Sequence, residues 1–113
     1  AMDELSTLGE NTVAEFYQDR GFSVSRDEPS LFPLQPATLD DLKGGDAGEN
    51  AATIRAILAG EDRGPRRDAV LLNAAHALFV AARTKSAIEG WNLAASVIDD
   101  GLAKSKLAEL TDD

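Results

Sequence analysis

Near its start the chain sets two carboxylates side by side, Asp3 and Glu4. Adjacent carboxylates offer hard oxygen ligands, and Mg²⁺ is commonly held by one or two of them together with the phosphates of a substrate. Without context, such a pair is more often a solvated acidic surface, where charged side chains usually sit. A second candidate is Lys43-Gly44-Gly45-Asp46-Ala47. Glycines ahead of a helix N-terminus can cradle an anion. This stretch lacks the Lys-Ser/Thr of a P-loop, however, and Asp46 would repel a phosphate, so Asp46 reads better as a helix cap.

His76, the single histidine, sits in an apolar helical stretch with no second His, Cys or acidic residue at i±3 or i±4. A packed or partly exposed histidine is the reading there, not a metal ligand. Asn73 shares that stretch, and a buried amide needs hydrogen-bond partners. We expect it to brace a loop or strand. Trp91 reads as packing, although an exposed indole would mark an interface. Arg63, Arg66 and Arg67 cluster around Pro65, near a helix N-terminus where positive charge opposes the macrodipole. Either a carboxylate partner elsewhere in a fuller protein or a solvated loop accounts for them.

The elements that must position these groups fall into two regions that meet near Leu42. In the first, residues 1–42, Thr12–Tyr17 and Phe22–Ser25 alternate or carry β-branched and aromatic residues. The polar Gln18-Asp19-Arg20-Gly21 between them predicts a β-hairpin. Three of the four prolines follow, predicting a loop with at most a short turn of helix. The second region, residues 43–113, is helical. Asp46 with Glu49 and Ser86 with Glu89 fit the capping-box spacing. Gly60 and Gly101 stand where a left-handed C-terminal residue is wanted, and Pro65 begins a helix at no cost in hydrogen bonds. That helix is expected to run to about Thr84. It is apolar nearly all round, which predicts burial between other elements. A short tail helix, Leu102–Leu110, closes the pattern.

A chain of 113 residues has room for one domain with a modest core. Its net charge of -9 argues against a nucleic-acid partner, which would need clustered Lys and Arg. It contains no cysteine, which excludes disulfides and thiolate metal sites and fits a cytoplasmic protein. No segment reaches the roughly 20 apolar residues that cross a bilayer, so no membrane partner is expected. The first ten residues lack both a basic region and an apolar run, so they are not a signal peptide. The abrupt opening reads as the middle of something longer.

The order of these blocks, DELSTLGENTVAEF, then LKGGDAGENAATIRAILAGEDRGPRRDAVLLNAAHALFVA, then SAIEGWNLAASVIDDGLAKSKLAEL, resembles the C-terminal third of the anthranilate phosphoribosyltransferase family. The resemblance spans nearly the whole chain. It implies an α/β fold: the C-terminal part of the large domain shared by nucleoside phosphorylases and these phosphoribosyltransferases, here a hairpin and about four helices. The family transfers phosphoribose from phosphoribosyl pyrophosphate (PRPP) to the amino group of anthranilate in tryptophan biosynthesis, releasing pyrophosphate.

In that family the Asp-Glu of the DELS motif holds Mg²⁺ that engages PRPP, which carries over to Asp3 and Glu4. The resemblance assigns no catalytic or substrate-contacting residue after Glu4. The family's glycine-rich PRPP loop, its Lys-His-Gly segment, its anthranilate-binding arginine and the small helical domain through which it forms homodimers all precede the matched region. The chain alone is therefore expected to be inactive and to need the missing N-terminal portion as partner. A non-catalytic helical interaction module derived from the enzyme, or a nucleoside phosphorylase-like relative, are the alternatives. His76 and Trp91 stand where relatives often carry smaller apolar residues.

Overall fold

The computed structural model describes residues 4–17, 21–27 and 29–111. Strands β1 (Asn11–Tyr17) and β2 (Gly21–Asp27) form an antiparallel hairpin in register Asn11↔Asp27 through Tyr17↔Gly21. Both strands extend beyond the alternating segments read from the sequence. Gly21 enters β2 at φ +78°, a left-handed value that glycine adopts without a Cβ penalty. The turn residues Gln18, Asp19 and Arg20 lie outside the described residues. Two short 3₁₀ turns, Pro29–Leu31 and Leu39–Leu42, punctuate the proline-rich stretch, where the sequence suggested one at most. Helices α1 (Ala47–Leu58), α2 (Pro65–Val80), α3 (Ala87–Asp99) and α4 (Leu102–Thr111) follow. A hairpin followed by four helices is the arrangement expected.

Local chemistry explains the helix ends. Asp46 Oδ1 accepts the Glu49 N–H at 2.8 Å, and Ser86 Oγ accepts the Glu89 N–H at 3.1 Å. The return bond of the second cap runs one residue early, from Lys85 N–H to Glu89 Oε2 at 2.9 Å. Gly60 at φ +78° and Gly101 at φ +82° terminate α1 and α3. At the end of α1 the Glu61 N–H reaches Ala56 O and the Gly60 N–H reaches Ile57 O, the paired bonds of a Schellman motif. Helix α2 ends at Val80, earlier than the apolar pattern suggested. Ala82 takes the left-handed position there, at φ +58°, and the same two bonds form from Ala82 to Phe79 and from Arg83 to Leu78.

The core lies between α2 and α3. Leu71, Leu72 and Ala75 from α2 meet Trp91, Ala94 and Ile98 from α3, with Phe32 joining from the proline-rich stretch. The Phe32 and Trp91 ring centroids are 5.6 Å apart, so Trp91 is packing, as read. Helix α2 is not enclosed on every side: Val70 and Val80 are exposed. At the centre, Gly90 backs onto the Ala75 backbone so closely that a Cβ at Gly90 would stand 2.9 Å from Ala75 Cα. The proline-rich stretch is tied down by Asp68, which is buried at the start of α2 and accepts the Gln35 N–H at 2.8 Å. Gln35 Nε2 in turn donates to Arg63 O.

The arginine cluster finds its carboxylate inside the chain. Buried Arg67 donates to both oxygens of Asp99, at 3.1 and 3.3 Å, and Arg63 reaches Asp99 Oδ1 at 2.9 Å. Asp99 is the last residue of α3, so this pair locks the start of α2 to the end of α3. Hydrogen bonds from Arg63, then from Arg67, hold the Asp99 carboxyl below its ordinary pKa. No helix among the described residues is long and apolar enough to cross a membrane.

Three outcomes follow from this packing. Gly90→Ala should destabilise the fold by about 1–3 kcal/mol, the usual cost of overpacking, read by denaturant unfolding. Ala82→Gly should raise stability by about 0.5–1 kcal/mol. It removes a left-handed cost of about 1–2 kcal/mol and restores about 0.4–1 kcal/mol of unfolded-chain entropy. The third concerns acid. Because the folded pKa of Asp99 is depressed, its contribution is complete above the unfolded value of about 3.9 and is lost as pH falls through the folded value. Asp99→Asn should therefore lower stability by a constant amount above about pH 5 and flatten the loss of stability below about pH 4. Equilibrium unfolding across that range measures it.

Candidate functional site

The segment that follows the acidic pair is fixed by two asparagine side chains. Asn73, near the middle of α2, accepts the Leu5 N–H on Oδ1 at 2.8 Å and donates Nδ2 to Leu5 O at 3.1 Å. Its amide also donates to Ala69 O, one turn back along the helix, at 2.9 Å. Asn11, the first residue of β1, does the same for the next residue: Ser6 N–H to Asn11 Oδ1 and Asn11 Nδ2 to Ser6 O, each 2.9 Å. Two consecutive residues are thus held by side chains that imitate a neighbouring strand. Leu5 itself packs against the core.

Glu4 is exposed at the edge of an open groove with a cavity volume of about 540 Å³. Asp40, Lys43 and Arg66 line the same groove, with Leu39, Ile57 and Val70 forming apolar parts of its wall. Arg66 is anchored there by an Nη2 bond to Lys43 O at 2.8 Å. The groove therefore combines carboxylate oxygens with two cationic side chains. That combination suits a phosphorylated ligand carrying a hard divalent cation, since Mg²⁺ takes carboxylate and phosphate oxygens together. Asp3, the other half of the pair, lies outside the described residues. Among the described residues no group of three or more His, Asp or Glu side chains gathers as a metal cage.

The glycine-rich stretch is occupied by its own side chains. Asn50 Oδ1 accepts the Gly45 N–H at 2.8 Å and Asn50 Nδ2 returns to Gly45 O at 3.1 Å. Asp46 caps α1, and the Glu49 N–H bond draws its carboxyl below the ordinary pKa, keeping it anionic. A phosphate would meet that negative charge and compete for amides already bonded. The capping reading of Asp46 stands.

His76 points its Nδ1 at Leu72 O, 3.0 Å away, and its ring lies 5.8 Å from the Phe32 ring. It is half-buried in packing. Asn73 emerges as the brace that its place in an apolar helix suggested. Asn11 and Asp40 carried no readable signal. Asn11 looks like an ordinary residue at a strand start, and Asp40 enters the groove only because the turn Leu39–Leu42 is laid against α2.

Comparison with known proteins bears on these placements. The family model described as glycosyl transferase family, a/b domain, matches residues 1–104. The chain is 46% identical over 109 residues to the anthranilate phosphoribosyltransferase of Geobacter sp. (strain M21), covering 96% of this chain and 30% of that protein. It is 48% identical over 111 residues to that of Parvibaculum lavamentivorans, covering 96% and 31%. Among solved structures, the anthranilate phosphoribosyltransferase of Thermus thermophilus superimposes with a TM-score of 0.82 at 40% identity, over 96% of this chain and 31% of that one. The chain thus spans about 30% of the length of the relatives it matches. The blocks read from the sequence and the hairpin-and-helix architecture lead to one assignment: the chain belongs to the glycosyl transferase family, in its a/b domain.

Proposed function

We propose that this chain works as part of an anthranilate phosphoribosyltransferase, supplying the Asp3–Glu4 carboxylates that hold Mg²⁺ for PRPP and the framework that carries them. Identity of 46% over 96% of the chain supports the reaction class. The observation that carries the site reading is the exposed Glu4 carboxylate on a groove that also presents Lys43 and Arg66. When bound, Mg²⁺ would neutralise charge on the departing pyrophosphate. Asp3 and Glu4 would contribute its oxygen ligands, and Lys43 and Arg66 would add positive charge toward the phosphates. Acceptor binding and the remaining positioning of PRPP fall to parts of the relatives that this chain does not span.

The hairpin supports the same division. One face carries Ala14 and Phe16 opposite Val24 and Phe22, and the two phenylalanines are 73% and 68% exposed. A paired aromatic face of this kind is costly to leave in water. In the larger enzyme a further part of the fold would cover it, which accounts for the exposure without a separate partner protein. Homodimer formation and a cytoplasmic location are part of this reading.

The test uses the chain with and without the remaining part of a relative such as the Thermus enzyme. Alone, it should form no phosphoribosylanthranilate from PRPP and anthranilate. The mixture should restore Mg²⁺-dependent turnover, and Asp3→Asn with Glu4→Gln should lower that turnover on the order of 10²-fold or more. Turnover by the isolated chain would overturn the division of labour. Unchanged turnover and magnesium dependence in the double variant would overturn the site.

A further inference from the structure

We propose that Asn73 is a positioning residue for Glu4 of the Asp3–Glu4 pair, holding the backbone immediately after it so that this carboxylate faces the groove in one orientation. The inference rests on the reading of that pair as cation ligands. It stands on geometry of its own. Asn73 makes both backbone bonds to Leu5, at 2.8 and 3.1 Å, from a helix 68 residues away in sequence. Asparagine is a poorer helix former than the leucine and alanine around it. Its place on α2 is explained by those bonds, since a leucine there would pack as well and leave both Leu5 groups without partners.

The consequence reaches Glu4 through the peptide bond that joins it to Leu5. With the Leu5 N–H and C=O both held, the peptide joining Glu4 to Leu5 cannot rotate freely, and Glu4 Cα is set relative to α2. The Ser6 clamp from Asn11 prevents slack from entering on the other side. Arg66, two turns back along α2, reaches the same groove. Helix α2 thereby anchors both Arg66 and the backbone next to Glu4. A ligating carboxylate held by such a support loses less freedom when a cation binds, and loss of supports of this type typically costs roughly 10–100-fold in metal affinity.

The experiment uses the 113-residue chain, isotopically labelled, with Mn²⁺ as a paramagnetic stand-in for Mg²⁺. Two quantities are read by NMR: hydrogen exchange of the Leu5 amide, and the Mn²⁺ concentration that half-broadens the Glu4 signals. Asn73→Ala should remove the Leu5 protection and raise that concentration roughly 10–100-fold, with cooperative thermal unfolding retained. Asn73→Leu, close in volume and a better helix former, supplies the same comparison should the alanine variant fail to fold. Lost Leu5 protection with an unchanged titration would overturn the positioning role, provided that Asp3→Asn/Glu4→Gln still abolishes broadening. If the double variant titrates like the unaltered chain, or the unaltered chain shows no broadening at Glu4, the cation-site reading fails and the positioning role fails with it.

Discussion

Everything in this structure depends on how closely α2 and α3 approach at Gly90 and Ala75. Because residue 90 has no Cβ, the α3 backbone can rest directly on the α2 backbone. Trp91, Ala94 and Ile98 then join Leu71 and Leu72 in one core. Buried Arg67 fastens the ends of the same two helices by pairing with Asp99 at the surface. The pairing satisfies a guanidinium that the packing has taken out of water, where an unpaired charge would be strongly destabilising. Other parts are then laid against α2: the proline-rich stretch through Phe32 and Asp68, and the opening segment through Asn73.

A single device recurs where irregular backbone must be held. Asn11, Asn50 and Asn73 each pair one side-chain amide with both the N–H and the C=O of one residue, Ser6, Gly45 and Leu5 respectively. An amide is suited to this because it carries a donor and an acceptor side by side, the same pattern a neighbouring strand would present. Two of the three pairings are local and tidy a turn. The third spans 68 residues of sequence and ties the backbone next to Glu4 to α2. Rigidity near Glu4 therefore comes from helix packing rather than from the loop's own composition.

The carboxylates divide between those the fold engages and those left on the groove. Asp46, Asp68 and Asp99 are engaged with backbone amides or arginines and serve the fold. Glu4 and Asp40 lie on the groove beside Lys43 and Arg66. A net charge of -9 over the whole chain thus gives no hint of the local balance. Under the proposed function, the meeting of both signs in one groove suits a metal-bound phosphate ester.

What the sequence settled by itself was the set of elements, because their signals are local. Asp46 and Ser86 as caps, Pro65 at a helix start, Gly60 and Gly101 at helix ends, and the alternation on either side of Gly21 all act within a few residues. The family was also legible, since its blocks run in order through nearly the whole chain. Spacing could not say where α2 stops, because an alanine in the left-handed position carries no sequence signal. Nor could it name Asp99 as the partner of Arg67, Gln35 as the partner of Asp68, or Leu5 as the partner of Asn73. Those pairs stand 32, 33 and 68 residues apart and meet only in the folded chain. Tertiary structure decided them, because a buried polar group must be satisfied by whatever the packing brings to it.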